Sequence, residues 1–378
     1  MQLLLRHTDV LTGAASLEDL HSFPAFPVFM GCVTHPRSED ILAELTWQIS
    51  RTTGVLQLKE LVPLDILYQE QHDAGVTGDL WRLHHKAFAD FLGKQQPTGV
   101  LEIGGAHGIL AMEYMRLGRI PWTVLEPNPA PVTGCTARFI KGFFNESFAY
   151  PDPFDTVVHS HVFEHIYEPD AFIEQLARLM SIGKTMVFSI PNMQIMLERR
   201  YTNCINFEHT VFLTEPYVEY LLARHGFRIS ATEYFREDHS IFYAAIREQD
   251  VIPVELSDQL YERNKRLYLD YVEYHAQLIE QLNARLREIS TSVYLFGAHV
   301  FAQYLIQMGL NTNSILGLLD NAPAKQGKRL YGTDLFVSSP AVLRGLHRPV
   351  VILRAGVYND EIKQDILGNI NPETRFLE

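Results

Sequence analysis

Apolar residues along this chain fall into two rhythms. Short unbroken runs at Gly99–Ile103, Trp122–Glu126, Arg138–Gly142, Thr156–Ser160 and Thr185–Ile190 have the length and β-type content of buried strands. Phe227–Ser230 and Ser240–Ile246 add two more. Between most of them the apolar positions recur every three or four residues, as in Asp170–Met180 and Pro216–His225, which predicts helices. Alternation of this kind predicts a mostly parallel sheet with helices on both faces.

The flanks differ. Residues 1–75 read as a small separate unit, with proline-punctuated sequence at Phe23–Pro27 and a β-like piece at Gly54–Lys59. From Gly78 the spacing of Leu80, Leu83, His84, Ala87, Phe88 and Phe91 predicts a helix leading into the first strong strand, and the sheet domain spans 76–250. Over Val254–Ile289 the stripe Leu256, Leu260, Leu267, Tyr271, Tyr274, Leu278, Leu282 and Leu286 predicts a long packing helix, a connector over 251–290. A second α/β unit, 291–378, opens at Ser292 and continues through Ile315–Asp320 and Val350–Leu353.

A chain of 378 residues exceeds one hydrophobic core, in keeping with that division. Its net charge of −13 argues against a nucleic-acid partner, since phosphate binding needs surplus Lys and Arg. Cys32, Cys135 and Cys204 are isolated, which speaks against a disulfide framework or a thiolate zinc site and fits a reducing cytoplasm. No run of about 18 apolar residues occurs, and the apolar run near Met1 is too short for a signal peptide, so a soluble, cytoplasmic protein is expected.

The chemistry concentrates where the first strand ends. Glu102 is followed by Gly104, Gly105, Ala106 and Gly108, an acidic residue and then Gly-x-x-x-Gly, not the G-x-G-x-x-G of a dinucleotide site. Glycines let a backbone turn sharply and approach a ligand closely. Glu126, ending the second strand, stands where a carboxylate could accept hydrogen bonds from two ribose hydroxyls. Alone, Glu102 could be a helix-capping acid and Glu126 a surface residue; the spacing on successive strands favours the paired reading.

With Phe154–Asp170 and Ser181–Asn192, this stretch resembles a class I S-adenosylmethionine-dependent methyltransferase. The resemblance implies a Rossmann-like α/β fold with a seven-stranded, mostly parallel sheet whose last strand, Ser240–Ile246, is antiparallel. It implies S-adenosylmethionine as cofactor, held by Glu102, Gly104, Gly105, Ala106, Gly108, Glu126, Pro127, Phe143, Ser160 and His161. At Ala106 many relatives carry glycine.

His161-Val-Phe-Glu164-His165 is also the H-x-x-E-H pattern of inverted zinc peptidases. Zinc chemistry would need the segment inside a helix and a further ligand downstream. Here it directly follows a strand and precedes Pro169, so no metal is expected; the histidines could equally be satisfied polar residues at a strand end.

Leu318–Thr333, Ser339-Pro340, Phe296–His299 and Ala355–Ile362 are similar to the C-terminal domain of sugar C-methyltransferases of deoxysugar pathways, which act on nucleotide-linked keto-sugars. That resemblance implies a second Rossmann-like C-terminal domain, a small N-terminal lid and a nucleotide-sugar substrate. It implies His209 as base with Glu208 beside it, His165 as donor to the enolate oxygen, and Asn206, His72, Lys328, Tyr358 and Asn359 as substrate contacts. Histidine suits the task because its ordinary pKa, about 6.5, lies near working pH. Two departures stand out. Asn206 replaces the family's tyrosine, and Ser50–Thr53 replaces its zinc-binding cysteine pair, so the lid is expected to be held by packing through Trp47, Leu56, Leu58 and Leu61. Methylation of oxygen or nitrogen on a saccharide precursor is the alternative; a non-catalytic cofactor-binding protein is the third.

Overall fold

The computed structural model describes residues 1–68 and 78–378; His72 lies outside them. The central sheet has seven strands. From edge to edge they are Phe227–Phe235, Ser240–Arg247, Thr185–Pro191, Thr156–Ser160, Val100–Ile103, Trp122–Glu126 and Arg138–Lys141. All neighbours are parallel except around Ser240–Arg247, which runs antiparallel to both strands beside it. The fold is therefore the mostly parallel α/β sheet that the apolar runs imply.

The inner strands are largely apolar because both faces are covered. Val157, Phe188 and Tyr243 enter one core with Phe172, Ile173 and Leu221 from the helices Pro169–Leu179 and Glu215–Arg224. Their neighbours Val158, Val187 and Phe242 point the other way, into a core with Phe88, Phe91 and Leu110 from Asp79–Gly93 and Ile109–Tyr114.

A second sheet of five strands, all parallel, is ordered Val337–Ser338, Ile315–Leu319, Val293–Phe296, Val350–Leu353 and Arg375–Leu377. The helix Leu260–Glu288, about 43 Å long at 1.5 Å per residue, joins the parts. Tyr268 and Tyr271 bury against Trp47 and Tyr304, while Leu278, Leu282 and Leu286 bury against the second sheet. The helix starts six residues later than the periodicity from Val254 predicts. Ser257 sets that start: its hydroxyl accepts from Gln259 N at 3.3 Å and its carbonyl from Leu260 N at 3.1 Å. Tyr268 and His275, not Leu267 and Tyr274, are its most buried positions, because the helix is wedged between two cores at once.

The N-terminal strands Leu17–Pro27, Leu42–Ser50 and Leu56–Leu58 form an antiparallel sheet. Trp47, wholly buried, stacks on Phe212 at 4.1 Å between centroids. Leu58 N donates to Thr210 O at 2.9 Å, Phe212 N to Leu56 O at 2.9 Å, and the Arg6 guanidinium to Thr210 O at 2.6 Å. The loop carrying Glu208 and His209 is thus clamped by the first sixty residues. Cys32–Val33 pairs with Arg329–Leu330, and Arg329 forms a two-pronged ion pair with Asp40 at 2.7 Å on each prong. All three cysteines are free. Among the described residues no helix is long and apolar enough to cross a membrane.

Candidate active site

In open parallel sheets ligands bind beyond the carboxyl ends of the strands where chain order reverses. Here that point lies between Val100–Ile103 and Thr156–Ser160, since the chain leaves the first strand toward Trp122–Glu126 on its other side. Two segments meet there. One is the turn Gly104–Gly108, the other the short 3-10 turn Phe163–His165.

The glycine turn is bare by necessity. Gly104 has φ +72°, and a Cβ there would lie 2.6 Å from Val162 Cγ2. A Cβ on Gly105 would lie 2.6 Å from the Glu102 carboxyl carbon. Ala106 adopts φ +40°, the left-handed conformation that glycine tolerates better. Glu126 holds the turn from the adjacent strand: its carboxylate accepts from Ala106 N at 3.0 Å and from Asn128 N at 3.1 Å. Glu102 lies against the turn, its carboxyl carbon 2.6 Å from where a Gly105 Cβ would sit. It is buried, accepts from the Trp122 indole at 2.7 Å, and burial pushes its carboxyl up to about 7.

Beyond the fourth strand lies a nest of imidazoles and carboxylates. Glu164 is 1% exposed, and neither of its oxygens accepts a hydrogen bond among the described residues. His161 Nδ1 approaches it at 3.2 Å and His165 Nε2 at 3.6 Å. The His165 and His209 rings meet edge to face at 5.4 Å. Burial raises the Glu164 carboxyl and lowers His209, each opposed by the other's charge. A second group surrounds Trp81, whose ring lies 4.9–5.1 Å from those of His84, His161 and His239. Burial drives His161 and His239 down to about 3, so both are neutral at physiological pH. Ser240 Oγ ties them together, at 2.9 Å from His161 Nε2 and 2.6 Å from His239 Nδ1.

Residues 72–232 match a family model described as a methyltransferase domain. That stretch carries a methyltransferase domain. Among solved structures the methyltransferase is similar to magnesium protoporphyrin IX methyltransferase from Synechocystis PCC 6803 with bound SAH. That likeness has 16% identity, covers 48% of this chain and 91% of the other, and has a TM-score of 0.36. It is also similar to 1,6-didemethyltoxoflavin-N1-methyltransferase from Burkholderia thailandensis (14% identity, 45% and 82% covered, TM-score 0.36). An S-adenosylmethionine-dependent methyltransferase from Mesorhizobium loti gives 15% identity, 42% and 98% covered, and a TM-score of 0.34. No curated protein matches the chain.

The expected site residues of the methyltransferase separate into groups. Gly104, Gly105, Ala106, Gly108, Glu126, Pro127, Ser160 and His161 gather at the strand ends, while Phe143 is exposed past the third strand. Glu102 is buried behind that group and accepts from the Trp122 indole. The Glu208 carboxylate lies 3.8 Å from His165 Nδ1. His209 is oriented by Cys204 O, 3.3 Å from Nδ1, and by Asn206. Asn206, expected at substrate, is buried and accepts from the backbone N–H groups of Glu208 and His209 at 2.8 Å each. Tyr358 lies beside Trp81 and so borders the histidine nest. Lys328 and Asn359 stay with the second sheet, where Asn359 accepts from Ala355 N at 2.8 Å and Lys328 O accepts from Val337 N at 2.9 Å.

Sequence reasoning missed Glu164 and Trp81 as site residues, and His84 and His239 with them. The signal for Glu164 was present in H-x-x-E-H. His84 lies on an apolar helix face and His239 in a strand turn, where nothing local marks them. A cavity of about 740 Å³ opens at the opposite, amino-terminal edge of the strands, lined by Arg178, Arg224, His225 and Arg247. It faces away from the glycine turn, and its arginines are engaged: Arg178 pairs with Glu174, and Arg247 donates to the carbonyls of Gly226 and Glu248.

Proposed function

We propose that the methyltransferase alkylates a carbon next to the ketone of a nucleotide-linked keto-sugar. The observation that carries this reading is the convergence of Glu164, His165, Glu208 and His209 beside the glycine turn, within a loop held by the N-terminal sheet. The bare backbone of Gly104–Gly108 suits the amino-acid part of the cofactor, and the Glu126 carboxylate suits its ribose. Pro127, Ser160 and His161 flank that space, and Phe143 offers an aromatic face to a base. Bound S-adenosylmethionine supplies a methyl group activated by its sulfonium charge.

The remaining chemistry belongs to the chain. A carbon acceptor must lose a proton, and the cluster offers two receivers, His209 and Glu208. Burial keeps His209 neutral, as a base requires. His165 stands between Glu164 and Glu208, ready to carry a hydrogen bond to the enolate oxygen. The similarity of Leu318–Thr333 and Ala355–Ile362 to sugar C-methyltransferases supports the nucleotide-sugar class, and Tyr358 against Trp81 supports a substrate reaching across from the second sheet.

Two measurements test this. Keto-sugar incubated in heavy water with the enzyme alone should take up deuterium next to its carbonyl, and labelled cofactor should leave its methyl on carbon. Label found only on oxygen or nitrogen, with no exchange into any keto-sugar, would replace this reading with methylation of a hydroxyl or amine. Glu126→Ala should weaken binding of S-adenosylhomocysteine roughly 10- to 100-fold, the worth of a charged hydrogen-bond pair; unchanged affinity would remove the assigned role.

A further inference from the structure

Two groups of side chains here have donor atoms close enough to share a cation: Glu164 with His165 and His209, and His84 with His161 and His239. In each, the ligating atoms lie within 4.8 Å of one another. The two are not equivalent. The second contains no anion, and two of its rings are already bound to the Ser240 hydroxyl while Ser189 Oγ lies 3.4 Å from His84 Nε2. Trp81 closes it off. Its polar needs are largely met.

In the first group they are not. Glu164 is a carboxyl group at 1% exposure with no hydrogen bond to either oxygen among the described residues, only the ring nitrogens of His161 at 3.2 Å and His165 at 3.6 Å beside it, and ionising it there is costly unless a cation accompanies it. His209 turns Nδ1 to the Cys204 carbonyl at 3.3 Å, which leaves Nε2 for the cluster. His165 turns Nε2 toward Glu164 and Nδ1 toward the Glu208 carboxylate, 3.8 Å away. Imidazoles that ligate a metal almost always direct their other nitrogen to a carbonyl or a carboxylate, which fixes the ring and raises its basicity. His209 does so here, and His165 Nδ1 stands at ion-pair rather than hydrogen-bond distance, 3.8 Å, from the Glu208 carboxylate. The side chain of His165 is 19% exposed, so the group is not sealed.

We infer that Glu164, His165 and His209 form a binding site for one divalent cation of the zinc, manganese, cobalt or iron(II) type. Two nitrogens and one carboxylate oxygen select such borderline ions over magnesium or calcium, which prefer all-oxygen sites. Three protein ligands leave positions for a carbonyl or hydroxyl oxygen of the acceptor, whose negative charge the ion would carry as a Lewis acid. The inference rests on the proposed reaction only for that last role. In that arrangement His209 is a ligand, and Glu208 is the group left to receive the acceptor's proton.

Metal-stripped full-length protein, dialysed against zinc or cobalt(II) and analysed by elemental mass spectrometry, should retain one equivalent. Cobalt should also give the visible absorption of a nitrogen-ligated site. His165→Asn and His209→Asn should each drop retention below a tenth of an equivalent, and Glu208→Gln should weaken binding roughly 10- to 100-fold. His347→Asn, at an exposed position, should change nothing. Titration of every variant with S-adenosylhomocysteine reports whether the fold survives. Wild-type protein that binds S-adenosylhomocysteine but retains no metal would overturn the cation site and leave the methyltransferase reading standing. Metal lost from His84→Asn or His239→Asn, but kept in His165→Asn and His209→Asn, would overturn it equally. Wild-type protein that holds metal without binding S-adenosylhomocysteine would sink the cofactor reading and spare the site.

Discussion

Glu102→Gln isolates one buried acid whose protonation the fold itself controls. Its carboxyl lies under the glycine turn, 3% exposed, and burial carries it from 4.5 to about 7 against the opposing pull of the Trp122 indole hydrogen bond. In the native state the proton is therefore kept to about pH 7, whereas the unfolded chain releases it near 4.5. Between those values the native state binds more protons, so the unfolding free energy falls as pH rises. Below 4.5 both states are protonated and there is no penalty; above about 7 the penalty is complete. The raised value corresponds to about 3 kcal/mol at roughly 1.4 kcal/mol per pH unit. Glutamine keeps the acceptor for Trp122 and cannot ionise. Urea unfolding of the cofactor-free enzyme from pH 5 to 8 should show the wild type losing about 2.5 kcal/mol relative to Glu102→Gln, since part of the penalty is already present at pH 5. Parallel stability profiles would refute the argument, because they would mean that Glu102 ionises in the folded protein as easily as in the unfolded chain.

Other perturbations test the same frame. Gly105→Ala sets a methyl 2.6 Å from the Glu102 carboxyl carbon and 2.7 Å from Val124 Cγ1, both buried; a loss of about 1–3 kcal/mol is expected by calorimetry, together with weakened cofactor binding. Ala106→Gly relieves a left-handed alanine at φ +40° but frees the unfolded chain, so it should stabilise by less than about 1 kcal/mol and leave cofactor affinity intact. Arg329→Ala leaves Asp40 buried without its partner, their side chains being 6% and 1% exposed, and should cost about 3–5 kcal/mol in denaturant unfolding. A cost under about 1 kcal/mol would show that the pair does not hold the N-terminal strands to the second sheet.

Much of the sheet was legible because its strands are buried on both faces. Val157 and Val158, or Tyr243 and Phe242, serve opposite cores, so the runs show no polar alternation and stand out. The glycine turn was legible from its residue types, although what forbids a Cβ at Gly104 and Gly105 is largely tertiary, Val162 and Val124 lying 2.6 and 2.7 Å from where it would sit. The start of the long helix was less so, since Ser257 ends the extended approach through two hydrogen bonds that a periodicity in apolar residues does not register.

Side-chain direction was not legible at all. Glu102 and Glu126 look alike as carboxylates on neighbouring strands, yet one accepts from the Trp122 indole and the other from Ala106 N. Glu208 and His209 are adjacent in the chain, yet Glu208 faces His165. Adjacent residues in a loop need not share a direction, and Asn206 decides this one by bonding both of their backbone N–H groups.

The strand and helix rhythm, the residue types of the glycine turn, and a set of histidines and acids at strand ends are written in the order of residues, because apolar patterning acts between near neighbours. Which of those groups meet is settled by the packed fold. Glu164, His165 and His209 come together from a strand end and a loop more than forty residues on, and that loop is held in place by Arg6, Leu56 and Leu58 from the far end of the chain. Contacts over such separations are set by how whole layers pack, which no short stretch of sequence encodes.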